Sequence, residues 1–538
     1  MGIFANPLTD LLEYEDFSRD FLKGTDPVGM TGCIDSEKVH FMSTFLGEKK
    51  VQLVVTYNEQ RAREIEEDYK LFCSQVYVIP PRDLIFFSAD LQGNAIIAER
   101  MKAFAALYQN EAKVIITTID ALMSAAVPFE QLMSHVIKLK EGDELDLEKL
   151  KHDLTVMGYE RVGRVEEPGQ FTVHGGIADV YPLTMEVPVR IELWGDEIDT
   201  IRCFEPQSQR SMDQIESVSV FPAAEVIADD TARRRAVGMI QNELESQLAV
   251  FKKVKEPDKV KRLREETNRI LEALGEEVVL EAPDSYISYF YPRTVRLSEY
   301  FDEKNTLVFL DEPMRLKERG DGVQAEFEES MKNRLEQGFL LPGQTALLTP
   351  AKHVLAAFER GQVAALSSLD SRLADFTVVN SYAVNVQNMN TYREGFELLI
   401  KDLTHWKKEK YRIVLLCPSR TRANRIVNQL IEYDLLAYYS EDEDKKINPG
   451  EIMVTYGNLH RGFLYPMLKF AVITESDIFG VKKKKKEKKS RYQGQRISDF
   501  AQLKPGDYVV HENYGLGIYR GTERQIVDKV TKDYIKIE

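Results

Sequence analysis

Short apolar runs alternate with charged amphipathic stretches in the first part of the chain. Strand-like runs lie at 51–56, 76–79 and 113–118, and helix-like stretches lie at 59–72 and 95–108. An alternation of strands and helices is typical of a parallel sheet covered by helices. Residues 1–128 are therefore predicted to form an α/β domain.

The pattern changes near residue 129. Strand-like segments at 171–174, 178–181 and 187–194 are separated by proline or glycine, and residues 147–157 have the spacing of a helix. Such strands with tight turns indicate a small α+β module, residues 129–222, inserted into the first domain.

The α/β pattern then returns twice. Residues 223–355 contain a helical stretch at 231–275 and a buried strand at 306–310, which indicates the second part of the first domain. Residues 356–480 contain a strand and a helix from 411 to 433 and are predicted to form a further α/β domain, whose role the sequence does not indicate.

The last part of the chain combines a basic run with a β-rich module. Residues 482–489 are nearly all lysine, within a predicted linker at 481–496. An exposed linker is the simpler interpretation, and a nucleic-acid-binding arm is the alternative. Residues 497–538 are rich in Val, Ile, Tyr and Gly and predict strands at 508–511 and 518–526, at the start of a small Tudor-like β-barrel. Because the chain ends within a strand, we expect a truncated barrel and a longer parent protein.

Composition narrows the class of protein. The chain has 538 residues, enough for about three to five domains, and a net charge of −16. This charge argues against a surface that mainly wraps DNA and favours protein partners. No run approaches the ~20 apolar residues of a membrane span, and no secretory signal is visible. Four scattered cysteines fit free thiols. A cytoplasmic protein without membrane contact is predicted.

One stretch has the spacing of a phosphate-binding P-loop. Gly32 and Lys38 are correctly spaced, but Glu37 takes the place of the second glycine and Val39 that of the hydroxyl residue. A carboxylate repels phosphate, and valine cannot coordinate Mg²⁺. The motif is interpreted as a degenerate P-loop without a bound nucleotide.

An acidic pair follows the apolar strand at 306–310. Asp311 and Glu312 resemble the metal-binding acids that accompany a P-loop, whereas the simpler interpretation is a strand end before a helix. No other catalytic or metal-binding arrangement is visible in the sequence. This chain is therefore predicted to be non-enzymatic, with no cofactor or metal of its own.

Three stretches resemble known families. Residues 158–182, continued by 189–202 and 208–210, are similar to the domain through which UvrB and the transcription-repair coupling factors (Mfd) bind UvrA. Residues 506–521 resemble the RNA polymerase interaction domain of those factors and of CarD-type regulators. Because only the coupling factors join both domains, the chain resembles their N-terminal region.

This resemblance implies a fold and a set of partners. A UvrB-like, degenerate helicase-type α/β domain is expected, with UvrA and the RNA polymerase β subunit as partners. The full-length protein would be an ATP-dependent DNA translocase. Its motor, which lies outside this chain, would bind ATP and Mg²⁺ and make most of the contacts with DNA.

The resemblance also implies contact residues. Those for UvrA fall on His174, Arg190 and Trp194, with histidine where the family usually has arginine. Histidine is mostly neutral at pH 7 and lacks the fork of arginine. Arg190 and Trp194 share one face of a strand with Glu192, so plain strand alternation is the alternative.

For the polymerase, an open barrel edge could be extended by a strand of the β subunit. Tyr519, Arg520, Gln525 and Ile526 are the residues expected to select this partner.

Two other functions remain open. A UvrB-type repair helicase is disfavoured by Glu37, Val39 and the last module. A CarD-like regulator without a repair role is disfavoured by Arg190, Trp194 and the pattern around them.

Overall fold

The computed structural model describes residues 5–82, 93–275, 283–370, 376–392, 395–442, 445–479, 508–511, 515–527 and 530–537. The chain divides into two compact units, residues 1–480 and 481–538. The first unit contains two α/β domains and an inserted α+β module, and the second contains a small antiparallel sheet.

A seven-stranded parallel sheet forms the centre of the first domain. From edge to edge its strands are Asn380–Ala383, Val28–Thr31, Val363–Ser367, Thr306–Asp311, Val51–Thr56, Val114–Thr118 and Val76–Ile79. Burial on both faces explains why the inner strands are continuous apolar runs. The parallel sheet predicted from the alternation of strands and helices is confirmed.

Helices cover both faces of this sheet. Leu53 and Val55 point into one apolar core and Val54 into the other, as the period of a strand requires. The side chain of Asn58 caps the helix after this strand by accepting the Arg61 N–H. Apart from a helical hairpin described below, the α-helices of this domain among the described residues are Ala5–Leu8, Leu12–Lys23, Asp35–Ser43, Glu59–Tyr69, Gly93–Tyr108, Ile119–Met123, Phe129–Met133, Ile287–Phe290, Pro313–Glu336 and Ala351–Ala356.

The sheet extends past residue 355, where the sequence placed the end of this domain. Val363–Ser367 pairs with Val28–Thr31 and with Thr306–Asp311, and Asn380–Ala383 pairs with the outer side of Val28–Thr31. The edge strand is mostly exposed and polar, so its hydrophobic pattern is weak. The first domain therefore continues to Ala383.

The inserted module has an α+β fold with its own apolar core. Its six-stranded sheet runs in the order Ser211–Gln214, Glu197–Phe204, Val189–Trp194, Ile177–Val180, Gln170–His174 and Glu160–Arg161. All neighbours are antiparallel except the last pair. Helix Leu147–Val156 and the paired strands Ile137–Lys140 and Ser217–Val220 complete the module.

A long helical hairpin follows the inserted module. Helices Asp230–Lys253 and Pro257–Gly275 carry apolar residues at helical spacing on their inner faces, and these side chains join the core of the first domain. The helical interpretation of residues 231–275 is confirmed.

The second α/β domain has a six-stranded mixed sheet. Its order is Gln387–Asn388, Phe463–Tyr465, Phe470–Thr474, Arg412–Cys417, Ile452–Tyr456 and Ala437–Tyr439, with the last four strands parallel. Helices Phe396–Lys408, Arg420–Glu432 and Glu475–Phe479 belong to it. Phe463, Tyr465 and Phe470 join a core of the first domain, so the two domains pack as one body.

The last unit is a three-stranded antiparallel sheet. Tyr508–His511 pairs with the start of Gly515–Val527, and Val530–Ile537 pairs with the rest of that long strand. The two predicted strands are present as a hairpin. The described residues form an open sheet, and the closed Tudor-like barrel stays a prediction. The lysine run at 482–489 lies outside the described residues.

Candidate functional site

The degenerate P-loop lies between strand Val28–Thr31 and helix Asp35–Ser43. Gly32 has φ +83°, and a Cβ there would lie 2.0 Å from the carbonyl oxygen of Val384. Both the left-handed backbone and the close approach require glycine. The loop joins a strand to a helix, and the backbone of residue 384 fills the space next to the glycine.

Lys38 is held by carboxylates of the same chain. Its Nζ donates to Asp311 Oδ1 and to Glu312 Oε1, both at 2.7 Å, and its side chain is only 3% exposed. Burial favours the neutral form of Asp311, but the charges of Lys38 and Arg61 outweigh it and lower the pKa of Asp311 to about 2. A P-loop lysine normally reaches a phosphate. Here its charge is already neutralised.

The acidic pair therefore has a structural partner. Strand Thr306–Asp311 ends there and helix Pro313–Glu336 begins, so the strand-end interpretation is confirmed. Glu312 has φ +54°, a conformation that is sparsely populated for residues other than glycine. Its carboxylate accepts the backbone N–H of Ser368 at 2.9 Å as well as the Lys38 ammonium. These bonds hold the strained residue in place.

Glu37 occupies the position where a P-loop has its second glycine. The side chain is fully buried, and its carboxyl group accepts the Ile34 N–H at 3.1 Å and the Tyr465 hydroxyl at 2.6 Å. Burial raises the pKa of Glu37 to about 7. In a P-loop the backbone N–H groups face phosphate. Here the Glu37 carboxyl group accepts a hydrogen bond from the Ile34 N–H, which is one of the backbone groups of this loop.

The space beside Lys38 is small and is lined by charges of both signs. A cavity of about 200 Å³ lies beside Lys38, smaller than the roughly 300–1,000 Å³ of typical ligand pockets. Three basic and three acidic side chains contribute to its lining: Lys38, Arg61, Arg315, Asp35, Asp311 and Glu312. Val39, at the position of the metal-binding hydroxyl, is buried in the apolar core. Carboxylates and cations therefore lie side by side in this space.

The second α/β domain covers this loop. The His460 N–H donates to Asp68 Oδ1 at 2.7 Å, and the Arg461 N–H donates to Ser36 Oγ at 3.0 Å. The His40 ring is stacked on Phe463 with centroids 5.1 Å apart. Sequence reasoning missed this contact, because nothing in the local pattern near residue 460 points to a partner more than 390 residues away.

In the inserted module, the predicted UvrA contact Trp194 is highly exposed. Its side chain is 83% exposed, and Ile177 on the neighbouring strand is 40% exposed. His174 lies at the same end of the sheet, with Nε2 2.9 Å from Thr172 Oγ1. A large exposed apolar ring beside polar groups is typical of a protein-binding anchor.

Arg190 is engaged within the module. Its guanidinium forms two bonds of 2.8 Å to the carboxylate of Asp179 and lies 4.8 Å from the ring of Phe204. The side chains of Arg190 and Asp179 are 21% and 9% exposed. Arg190 and Trp194 do alternate with buried Val189 and Ile191, as the sequence predicted. Arg190 is therefore partly exposed on this strand face, and its guanidinium also forms an ion pair inside the module with Asp179.

The predicted polymerase contacts all lie on strand Gly515–Val527. Tyr519 is buried and Arg520 is exposed. Gln525 and Ile526 pair with Lys532 and Thr531 on the neighbouring strand, while their side chains lie outside the described residues.

Three families match successive parts of the chain. Residues 137–225 match the UvrB interaction domain, residues 405–478 match the D3 domain of MFD, and residues 503–538 match the CarD-like/TRCF RID domain. The first match coincides with the inserted module, and the second lies within the second α/β domain. The third covers the antiparallel sheet.

Similar proteins cover nearly the whole chain. The transcription-repair-coupling factor of Bacillus subtilis (strain 168) is 30% identical over 99% of this chain. That of Staphylococcus haemolyticus (strain JCSC1435) is 29% identical over 96%. A hypothetical ATP-dependent RNA helicase from Sulfolobus tokodaii aligns with 82% of both chains at 9% identity and a TM-score of 0.20, too low to support an argument.

The chain spans about half the length of these relatives, 45% and 44%. Their resemblance is continuous along it and includes the three matched domains in order. Along nearly its whole length the chain is similar to the transcription-repair-coupling factors, and it contains, in order, regions that match the UvrB interaction domain, the D3 domain of MFD and the CarD-like/TRCF RID domain.

Proposed function

We propose that this chain is a non-catalytic adaptor that recruits UvrA to RNA polymerase stalled at DNA damage. The inserted module would bind UvrA, and the last module would bind the polymerase β subunit. The observation that carries this proposal is the presence of both interaction domains on one chain whose P-loop is occupied by its own side chains. UvrA and polymerase would bind to separate units, so one chain could hold both.

The proposal assigns catalysis to a part of the protein beyond this chain. The full-length protein would be an ATP-dependent DNA translocase that binds ATP and Mg²⁺ in a separate motor, and DNA would be bound mainly there. This chain would need no cofactor, and it would act in the cytoplasm with these partners. None of the described helices has the length and apolar character required to cross a membrane.

We expect this chain not to bind ATP at micromolar concentrations. The Lys38 ammonium is held by Asp311 and Glu312, and the Glu37 carboxyl group takes a backbone N–H of the loop. A phosphate would have to displace these groups and would meet buried carboxylates. Isothermal titration calorimetry with MgATP should give no heat of binding.

The double replacement Glu37→Gly and Val39→Thr is the matched control. It restores the motif, yet binding should not return, because Asp311 and Glu312 still hold Lys38. Micromolar binding by the parent chain that disappears in Lys38→Ala would favour the helicase alternative.

For the polymerase, strand addition is the proposed mode of binding. Tyr508–His511 pairs only with residues 515–518 of the long strand. From Tyr519 to Val527 this strand pairs with Val530–Ile537 on one side. Among the described residues, no strand occupies its other side. An unpaired edge offers backbone groups that a strand of the β subunit could complete.

Replacing Ile526 with arginine is expected to abolish binding to the β subunit, because a charged side chain would disturb the proposed contact. Binding should be measured on a chain extended beyond residue 538, with circular dichroism to verify folding. Lys536→Ala, on the neighbouring strand, is a control that should bind as the parent does. If Ile526→Arg binds equally well, the contact lies elsewhere.

A CarD-like regulator without a repair role is the second candidate. The match of residues 137–225 to the UvrB interaction domain disfavours it. A chain that binds polymerase but never retains UvrA in a pull-down would support it instead.

A further inference from the structure

The helical hairpin of the first domain has a strongly basic tip. Helices Asp230–Lys253 and Pro257–Gly275 are joined by residues 254–256. From 252 to 264 the sequence has seven Lys or Arg and only two Asp or Glu, although the whole chain has a net charge of −16. We refer to residues 252–264 as the hairpin tip.

Most of these cations are exposed and contribute little to folding. Lys252, Lys253, Lys255 and Arg264 are exposed and form no ion pair with any residue that the structure describes. Lys261 lies 3.9 Å from the carboxylate of Glu265, but their side chains are 77% and 60% exposed. Surface pairs of this kind contribute little to stability. The positive charge of the tip is therefore available to a partner.

Helix stability does not account for this charge. The negative end of the helix dipole favours Lys252 and Lys253, which lie in the last turn of their helix. However, Lys255 lies beyond that helix, in a left-handed conformation with φ +58°. Lys261 and Arg264 lie in the second and third turns of the next helix, three residues apart, and such like-charged pairs destabilise a helix. Clustering these cations opposes folding, so a binding role is the better explanation.

The hairpin tip also packs against residues 337–339, which follow helix Pro313–Glu336. The Arg262 guanidinium carbon lies 4.5 Å from the ring centre of Phe339, and its Nη1 donates to the Gln337 carbonyl at 3.0 Å. The backbone at Gly338 approaches Lys259 so closely that a Cβ there would lie 2.9 Å from the Lys259 carbonyl oxygen. The end of helix Pro313–Glu336 thus fixes the base of the tip while the lysines project from it.

From these observations we propose that the hairpin tip binds the phosphate backbone of duplex DNA without reading its sequence. Lysine is a flexible point charge suited to phosphates, and it is depleted in protein–protein interfaces. Packed helices lie about 8–10 Å apart and rise about 5.4 Å per turn, so the tip presents a surface about 10 Å across. Duplex DNA carries one charge per about 1.7 Å along its axis. Several phosphates would face the tip at once.

The test replaces Lys255, Lys261 and Arg264 with glutamate in the full 538-residue chain. Binding to a short mixed-sequence DNA duplex is measured by fluorescence anisotropy between about 50 and 200 mM salt. We expect the variant to bind at least about tenfold more weakly, and the slope of log Kd against log salt to fall by about 2.7 for three lost phosphate contacts. Its melting temperature should not drop, because these side chains support no packing.

A matched control makes the same change of charge elsewhere. Lys304, Lys352 and Lys408 are exposed and distant in sequence from the tip, and their replacement with glutamate should leave DNA binding within about twofold. A second control replaces the lysines of 482–489 with glutamine in both the parent chain and the tip variant. The loss of DNA affinity caused by the tip replacements should be the same with and without this change.

Four outcomes would overturn the proposal. The first is that the parent chain does not bind DNA. The second is that both glutamate variants lose the same affinity, which would indicate that overall charge alone determines DNA binding. The third is that DNA binding depends only on residues 482–489, which would favour a nucleic-acid-binding arm in that lysine run. The fourth is that the tip variant binds DNA normally but no longer binds UvrA or polymerase, which would indicate that the tip binds an acidic protein surface.

Discussion

In a variant with alanine in place of Lys38, the free energy of opening the large sheet is expected to fall by about 3–5 kcal/mol, because buried Asp311 would lose the closer of its two cationic partners and keep only Arg61, 3.4 Å away. Lys38 and Asp311 are 3% and 1% exposed, so water cannot replace the missing ammonium. In a working P-loop the same change would impair nucleotide binding instead. Amide hydrogen exchange in strands Val28–Thr31 and Thr306–Asp311 measures the effect locally, since a chain of several domains need not unfold in one transition.

Lys70→Ala is the matched control for this measurement. Lys70 also lies 2.7 Å from a carboxylate, that of Glu66, but its side chain is 54% exposed. An exposed pair of this kind is worth about 0–1 kcal/mol. Equal small losses in the two variants would contradict the structural role assigned to Lys38.

Alanine in place of Trp194 is expected to weaken UvrA binding about thirtyfold, the effect of losing about 2 kcal/mol at an interface anchor. The ring is 83% exposed, so its removal should leave the stability of the module unchanged. Arg190→Ala should reduce both affinity and stability, because Asp179 would remain largely buried without its partner. Calorimetry with UvrA and thermal melting of the same samples separate these two effects.

Met212→Ala provides a control on the edge strand of the same sheet. Met212 is 52% exposed, and its truncation removes apolar surface without touching the end of the sheet where His174 and Trp194 lie. Normal affinity is expected. If Trp194→Ala binds UvrA within about twofold of the parent, the anchor has been misassigned.

The alternation of apolar and polar residues carried most of the fold information. Strands such as Val51–Thr56 are buried on both faces, so they read as continuous apolar runs, and the parallel sheet followed from them. The edge strand Asn380–Ala383 escaped this reasoning, because an exposed polar strand lacks such a run. The boundary at residue 355 was misplaced also because the buried strand Val363–Ser367 lies beyond it, and a local apolar run does not show which sheet a strand joins.

The candidate sites show the same division. The sequence by itself determined that Glu37 and Val39 depart from the P-loop pattern, and that Arg190 and Trp194 share one strand face with Glu192, because both follow from residue type and local spacing. Only the tertiary structure decided that Asp311 neutralises Lys38 from 273 positions away, that Tyr465 binds Glu37, and that Asp179 holds Arg190. A local period specifies the face on which a side chain lies. The partner that contacts this side chain depends on how distant segments of the chain pack together. The hydrophobic pattern of one segment does not contain that information.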